Sequence, residues 1–447
     1  MKSDNEVLNE DALFDQEKIA EMLGIDIKNV HDLPSEPTEH RSVGIIGTSG
    51  HVDHGKSTLT QALTGKFPAT YSEELIRGIT IKLGYSHLDV MICPGEPFPR
   101  ALVSNANPKC KGRRKPRHLR CYSILDHPGH EILISTMLAG ASIIDYGLVV
   151  IAANEPCPML QTREHVLALQ SLGIKDIIVA QNKIELVSKE QAIANHKQIV
   201  DFFSNETEYE SPPIIPVSAA LGINVDVLLA AILHYFRPIS LKKSGAPLMY
   251  IARSFDANLP GTDPQNLVGG AVGGALKSGE LKVGDEIEIR PGYITEKGDA
   301  IPLFSEIVSI RTDGGHSIEK ALPHGLIGIA TNLDPGIAKE DGLAGSVLGK
   351  PDQLPPIIKD ITVKHLYLFP KIVGTKVETK NYPLKKGERI LVNIGTNVNL
   401  GVVVSSADDE AEITLVRPVA MPKGEIVALS RLVEREYRLI GYGKLDY

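Results

Sequence analysis

The stretch Gly50-His-Val-Asp-His-Gly-Lys-Ser-Thr58 decides the fold. Its spacing, a glycine, four residues and then Gly-Lys-Ser, is that of a phosphate-binding loop. Backbone N–H groups of such a loop point inward and form a nest for anionic oxygens. Gly50 and Gly55 permit the tight backbone path. Lys56 can reach the phosphates as a point charge, and the Ser57 hydroxyl suits Mg²⁺. Asp53, His54 and Thr58 are expected to contact the same nucleotide. Just before the loop, Val43-Gly-Ile-Ile-Gly47 is apolar enough for a buried strand. A helix after Lys56 adds the positive end of its dipole.

Outward from the loop the chain alternates strand and helix. Strands are predicted at 43–47, 82–90, 120–126, 146–152, 176–182 and 214–217. Helices are predicted after Lys56, after His130, and over 161–172, 189–203 and 225–236. Val166, Leu169 and Leu172 fall on one face of the 161–172 helix. This alternation predicts a doubly wound, mostly parallel α/β sheet over about 41–237, with its ligand at the strands' carboxyl ends.

Four further segments can complete a nucleotide site there. In Asp126-His-Pro-Gly-His130 an aspartate ends the apolar strand CYSILD, where it can hold Mg²⁺ through water. Gly129 can offer its N–H to a γ-phosphate, and His130 is the group expected to position an attacking water. Thr80, in Arg77-Gly-Ile-Thr-Ile81, can add a hydroxyl to the same Mg²⁺ and order its loop. Asn182-Lys-Ile-Glu185 follows the apolar strand IIVAQ. The Glu185 carboxylate can accept both N–H groups of guanine, which adenine cannot supply; Asn182 and Lys183 belong to the same base site. Ser218-Ala-Ala220 closes another apolar strand and can support the base through backbone N–H groups. Asp53 sits where repulsion from phosphate would be costly, which invites either a salt-bridge partner or a bound cation; Asp53 with Gly78 are the candidate place for such a second ion.

Composition bounds the rest. A chain of 447 residues is too long for one core, so several domains are expected. No apolar run approaches a membrane span, and the acidic start MKSDNEVLNEDA has no secretory h-region. Four cysteines do not make a disulfide framework and suit a reducing, cytoplasmic setting. Residues 1–40 carry eleven acidic and three basic residues, which accounts for the whole net charge of −8. That segment is expected to be a solvated, partly disordered extension, with a weak helix from Asp15 to Leu23 presenting Ile19, Met22 and Leu23 on one face. After Pro247 the helical period fades. Short β-rich runs broken by Gly, Pro and Asp take over, with a second change at 350–352.

These segments carry a resemblance. The phosphate loop, RGITIKLGY at 77–85, DHPGHE at 126–131, NKIELV at 182–187 and SAA at 218–220 are similar to the translational GTPases. Downstream, IARSFDAN at 251–258, GLIGIATNLDP at 325–335, GLAGSVLGKP at 342–351 and YRLIGYG at 437–443 resemble the initiation factor 2 gamma-subunit family of archaea and eukaryotes. The resemblance covers nearly everything after residue 41. It implies a GTP-binding domain over 41–237, a β-barrel over 247–350 and a second over 351–447. It also implies GTP and GDP with Mg²⁺, and slow hydrolysis that needs an activating partner. The partners it implies are initiator methionyl-tRNA, alpha and beta subunits, the small ribosomal subunit, and GTPase-activating and nucleotide-exchange factors. An elongation-type carrier of other aminoacyl-tRNAs is the alternative reading.

One departure stands out. Many relatives carry a zinc knuckle of two cysteine pairs between the segments of Thr80 and Asp126. Here the insert over 91–120 keeps Cys93 and Cys110, with Pro97 and Arg113 near where their partners would stand. Two thiolates are too few for a closed structural zinc site, so no zinc is expected. Should zinc be held, Cys93, Cys110, Cys121 and His118 are the candidate ligands. The insert is also basic, with seven Lys or Arg from Lys109 to Arg120, and can contact RNA phosphates or an acidic protein.

Overall fold

The computed structural model describes residues 15–24, 41–68, 83–98, 100–112, 114–128, 134–239, 244–258, 268–375 and 379–447. The described chain divides into two compact units. One draws on residues up to 133 and on 144–238, the other on 134–143 and 239–447.

The first unit is built on a seven-stranded sheet. Its strands are β1 Ile45–Ser49, β2 Gly84–Ile92, β3 Leu102–Ser104, β4 Arg117–Asp126, β5 Tyr146–Ala152, β6 Ile177–Asn182 and β7 Ile214–Pro216. The order is β3-β2-β4-β1-β5-β6-β7. β4, β1, β5, β6 and β7 run parallel, while β2 and β3 form an antiparallel margin. β1, β5 and β6 are buried at every position, as strands covered on both faces must be. β2 instead alternates. Leu88, Val90 and Ile92 enter the core, and His87 and Asp89 take the other face. Helices Lys56–Thr64, Leu160–Ser171, Lys189–Glu206 and Val225–Tyr235 follow their strands.

The short strand β3 within the insert was not expected. It pairs with the end of β2, Val90 opposite Ser104 and Ile92 opposite Leu102. Cys93 and Cys110 are disulfide-bonded to each other across 17 residues. The missing knuckle thiolates stay missing; each retained cysteine instead finds the other, a pairing not expected from four cysteines read as free thiols. Chain reversal through β3 returns position 110 to position 93, a pairing that linear spacing does not reveal. Within the acidic extension, helix Gln16–Met22 is capped by the Asp15 carboxylate, which accepts from the Glu17 and Lys18 N–H groups. Ile19 and Ala20 are buried in the same core as helix Val225–Tyr235. Gln16 Nε2 donates to Asp226 Oδ1 at 3.0 Å and Tyr235 donates to the Leu23 carbonyl at 2.6 Å. This part of the extension is therefore packed rather than solvated; residues 1–14 and 25–40 lie outside the described residues.

The second unit holds two six-stranded barrels. In the first, strands 286–294, 347–349, 248–255, 271–278, 326–331 and 300–312 neighbour one another in that order, and the last pairs back to the first. The second is closed by strands 358–368, 410–419, 397–406, 389–394, 426–433 and 436–446. The barrels meet where Tyr250 donates to Glu425 Oε2 at 2.5 Å and Asn397 Nδ2 donates to the Gly345 carbonyl at 3.2 Å. Gly345 has φ +84° and lies so close to Asn397 that a Cβ would meet it at 2.8 Å. Helix Ile134–Ala141 also belongs to this unit, and the Ser135 carbonyl accepts from Asn393 Nδ2 at 3.1 Å.

Candidate nucleotide-binding site

The phosphate loop leaves β1 and enters helix Lys56–Thr64 at the carboxyl end of the parallel strands, where open α/β sheets bind ligands. Its two glycines are obligatory. Gly50 has φ +134°, and a Cβ there would stand 2.2 Å from the Val150 carbonyl oxygen. Gly55 has φ +89°, and its Cβ would stand 2.4 Å from Asn182 Nδ2. The Lys56 ammonium donates to the Gly50 and His51 carbonyls at 3.1 and 2.8 Å, so it already spans the loop. Burial pushes it down to about 8, against the opposing pull of Asp126 and Asp53. An anion brought to the loop therefore meets a cation that lacks full compensation.

Asp126 ends β4 beside this loop. Its Oδ1 accepts from the Thr48 hydroxyl at 2.5 Å and its Oδ2 from the Ser57 hydroxyl at 2.6 Å. Parallel pairing sets this up by placing Thr48 opposite Asp126. Hydroxyls and a carboxylate form an all-oxygen donor set, which fits a hard divalent cation such as Mg²⁺. Asp53 is exposed with φ +61°, open to solvent cations.

On the base side, Asn182 is buried and acts as a clamp. Its Nδ2 donates to the His54 carbonyl at 3.0 Å, and its Oδ1 accepts from the Ala219 N–H at 3.0 Å. One side chain thus ties the phosphate loop to the segment Ser218–Ala220. Lys183 takes a left-handed turn at φ +62°, after which Glu185 stands exposed at the start of a 3₁₀ turn. Ser218 is buried and bridges to Ile223. Ala220 and Thr58 are exposed. Direct hydrogen bonds and chain adjacency thus bring together His54, Gly55, Lys56, Ser57, Asp126, Asn182 and Ala219. Gly78, Thr80, Gly129 and His130 lie outside the described residues.

Two supporting residues, Thr48 and His165, escaped the sequence reading, and His54, assigned there to the nucleotide, supports the loop from within. Thr48 holds Asp126 and, through its carbonyl, accepts from His127 Nδ1 at 2.8 Å. His165 accepts the Gly50 N–H on Nδ1 at 3.2 Å; burial first, then Lys56 and neighbouring histidines, push it well below its ordinary value, so it stays a neutral acceptor. His54 is buried with Nδ1 on the Val150 carbonyl at 3.1 Å, and burial lowers it to about 3. His165 falls beside Val166 and four residues before Leu169 on a helix read as apolar. That placement was the one available signal.

Residues 38–238 match the Elongation factor Tu GTP binding domain, and residues 359–445 match the Initiation factor eIF2 gamma, C terminal domain. Among solved structures the chain is similar to a bacterial selenocysteine-specific elongation factor EF-Sec, with TM-score 0.68 and 23% identity over 90% of this chain and 58% of that one. It is also similar to elongation factor SelB from Methanococcus maripaludis in complex with the GTP analogue GppNHp, with TM-score 0.67 and 22% identity over 91% of this chain and 79% of that one. Fold and loop together define a translational GTPase. Among curated proteins the chain is 48% identical to translation initiation factor 2 subunit gamma of Pyrococcus furiosus, over 89% of this chain and 96% of that protein. It is 45% identical to the same subunit of Methanothermobacter thermautotrophicus, over 89% and 97%. The chain belongs to the translation initiation factor 2 subunit gamma family. Among the described residues no helix is long and apolar enough to cross a membrane.

Proposed function

We propose that the chain carries initiator methionyl-tRNA in its GTP-bound state, delivers it to the small ribosomal subunit together with alpha and beta subunits, and releases it after hydrolysis to GDP and phosphate. The observation that carries this reading is likeness to gamma subunits through both barrels as well as the GTPase domain, at 48% identity over 401 residues. An elongation-type carrier would share the first domain without the gamma-specific match at 359–445.

The chemistry assigned to the site follows from its residues. The loop N–H groups and Lys56 bind the β- and γ-phosphates, and Ser57 and Asp126 stand where oxygen donors meet a phosphate-bound cation. Mg²⁺, when bound, neutralises charge that develops on the phosphate oxygens. Thr80 joins it in the GTP state, and Asp53 with Gly78 are the place for a second ion. Glu185 accepts from guanine, with Asn182 and Lys183 in the same base site and Ser218, Ala219 and Ala220 supporting the base. Gly129 senses the γ-phosphate and His130 orients water, a role that needs position more than basicity. Helix Ile134–Ala141 follows that loop in sequence and belongs to the second unit. Release of the Gly129 and Thr80 loops on phosphate loss therefore has a covalent route to the barrels.

The test is binding of initiator methionyl-tRNA with a non-hydrolysable GTP analogue and Mg²⁺ against GDP, at two salt concentrations, with elongator methionyl-tRNA as competitor. Tighter binding with the analogue and preference for the initiator species are expected. Equal binding in both nucleotide states would remove the switch, and equal binding of both tRNAs would favour the elongation-type alternative.

A further inference from the structure

A second set of donors lies on the same strand pair that ends at Asp126, nearer the start of β4. Antiparallel pairing sets Asp89 directly opposite Cys121 and His87 opposite Ser123. With a period of two, His87, Asp89 and Cys121 share one face. That face is opposite to the one on which Leu88, Val90 and Tyr122 enter the core. The register shifts between Val90 and Met91, and the extra residue on β4 carries His118 round to the same side. The result is close. Asp89 Oδ1 lies 3.1 Å from His87 Nε2 and 3.2 Å from His118 Nε2. One donor atom each from His87, Asp89 and Cys121 lie within 4.8 Å of one another.

We propose that His87, Asp89 and Cys121 form a binding site for a borderline divalent metal ion of the zinc class, with His118 positioning the Asp89 carboxylate. The donor chemistry is selective. Imidazole, carboxylate and thiolate favour Zn²⁺ or Co²⁺, whereas Mg²⁺ demands oxygen. Metal–donor bonds of about 2.0 to 2.3 Å put tetrahedral ligands roughly 3.3 to 3.8 Å apart, so shifts of about an ångström close the set. Charge also closes, since a thiolate and a carboxylate balance a dication. The Cys121 thiol now donates to the Arg41 carbonyl at 2.8 Å; on binding its proton leaves to solvent, His87 offers a ring nitrogen lone pair, and His118 donates its Nε2–H to Asp89. Asp89 is one-third exposed, which gives the ion an entry path and a water for the fourth position. This ligand set differs from Cys93 and Cys110, which are consumed by their disulfide. It runs against the expectation that the chain holds no zinc.

The experiment uses the full chain with Cys93, Cys110 and Cys157 replaced by serine, so that Cys121 is the only thiol. Excess Mg²⁺·GDP occupies the nucleotide site. Co²⁺ is then titrated and followed by absorption. One Co²⁺ per chain with a thiolate-to-cobalt charge-transfer band is expected, displaced by Zn²⁺. Cys121→Ser abolishes the band. His87→Ala and Asp89→Asn each weaken binding at least tenfold, and His118→Ala weakens it less, because it acts through Asp89. If the triple-serine chain fails to fold by circular dichroism, the Cys157→Ser chain with its disulfide intact gives the same readout. No charge-transfer band at millimolar Co²⁺ would overturn the proposal. So would a band that persists unchanged in His87→Ala and Asp89→Asn.

Discussion

The strand pair β2–β4 carries two polar clusters, and they differ in kind. At the carboxyl end of β4, Asp126 gathers hydroxyls from Thr48 on the neighbouring parallel strand and from Ser57 on the helix that follows the phosphate loop. Nearer the start of β4, His87, Asp89, Cys121 and His118 gather on the antiparallel pair itself. The first cluster holds only oxygen and faces the phosphate loop. The second mixes nitrogen, oxygen and sulfur on the side of the sheet away from its main core. Five residues separate Cys121 from Asp126, which at about 3.3 Å per residue is roughly 16 Å of strand. One strand can therefore serve two chemistries because the donors it presents depend on which neighbour pairs at each point along it.

The largest effect expected is at the oxygen cluster. Asp126→Ala leaves the Thr48 and Ser57 hydroxyls without their acceptor and removes the carboxylate from the cation's surroundings. Hydrogen bonds to charged groups contribute about 1.5–3 kcal/mol each, so GTP·Mg²⁺ affinity should fall about a hundredfold, read by titration with a fluorescent GTP analogue. A change under threefold would place the cation elsewhere. Next comes the tie that holds the insert beside the second cluster. Reducing Cys93–Cys110, or replacing both by serine, frees a closed loop of 17 residues. Loop-closure arithmetic gives about 3 kcal/mol of lost constraint. Protease sensitivity across 93–110 should rise, while GTP binding stays unchanged.

A smaller effect separates the clusters by pH. Lys56 is held down to about 8 in the free loop, chiefly by burial, and phosphate oxygens favour its charged form. Nucleotide affinity should be flat below about pH 8 and fall up to tenfold per unit above it. Folding responds with the opposite sign. The folded value lies below the ordinary 10.5, so the unfolded chain binds more protons between about 8 and 10.5, and the free chain gains stability as pH rises through that window. An affinity unchanged well above pH 8 would mean that Lys56 does not pair with the phosphates. The smallest effect is the test of independence. Cys121→Ser should leave GTP·Mg²⁺ affinity within about twofold, because sites this far apart add. Coupling larger than that would make the two clusters one system through β4.

How much was legible varies by residue. Gly50, Gly55, Lys56 and Ser57 could be read because the loop is local: all its donors lie within nine consecutive positions. Asp126 and Asn182 could be read because each ends an apolar strand, and strand ends converge in a parallel sheet. Thr48 and His165 could not. Each supports the site through a partner 78 or 115 residues away, and neither residue type is unusual where it stands. The Asp15 to Leu23 helix was legible as a weak pattern, but not its burial, which depends on helix Val225–Tyr235. Strand β3 was hidden by the Lys- and Arg-rich composition of its surroundings.

The sequence by itself determined a phosphate loop on a parallel sheet, a candidate base-reading segment at the end of another of its strands, and two β-rich domains after it. These rest on local spacing and on hydrophobic periodicity, both of which are properties of the chain read in order. Only the tertiary structure decided that Cys93 meets Cys110, that Asn182 bridges His54 to Ala219, and that His87, Asp89 and Cys121 share a face. The reason is register. A one-residue shift in strand pairing exchanges the faces of a strand, and the bulge that brings His118 to Asp89 is such a shift, set by how β2 and β4 pack.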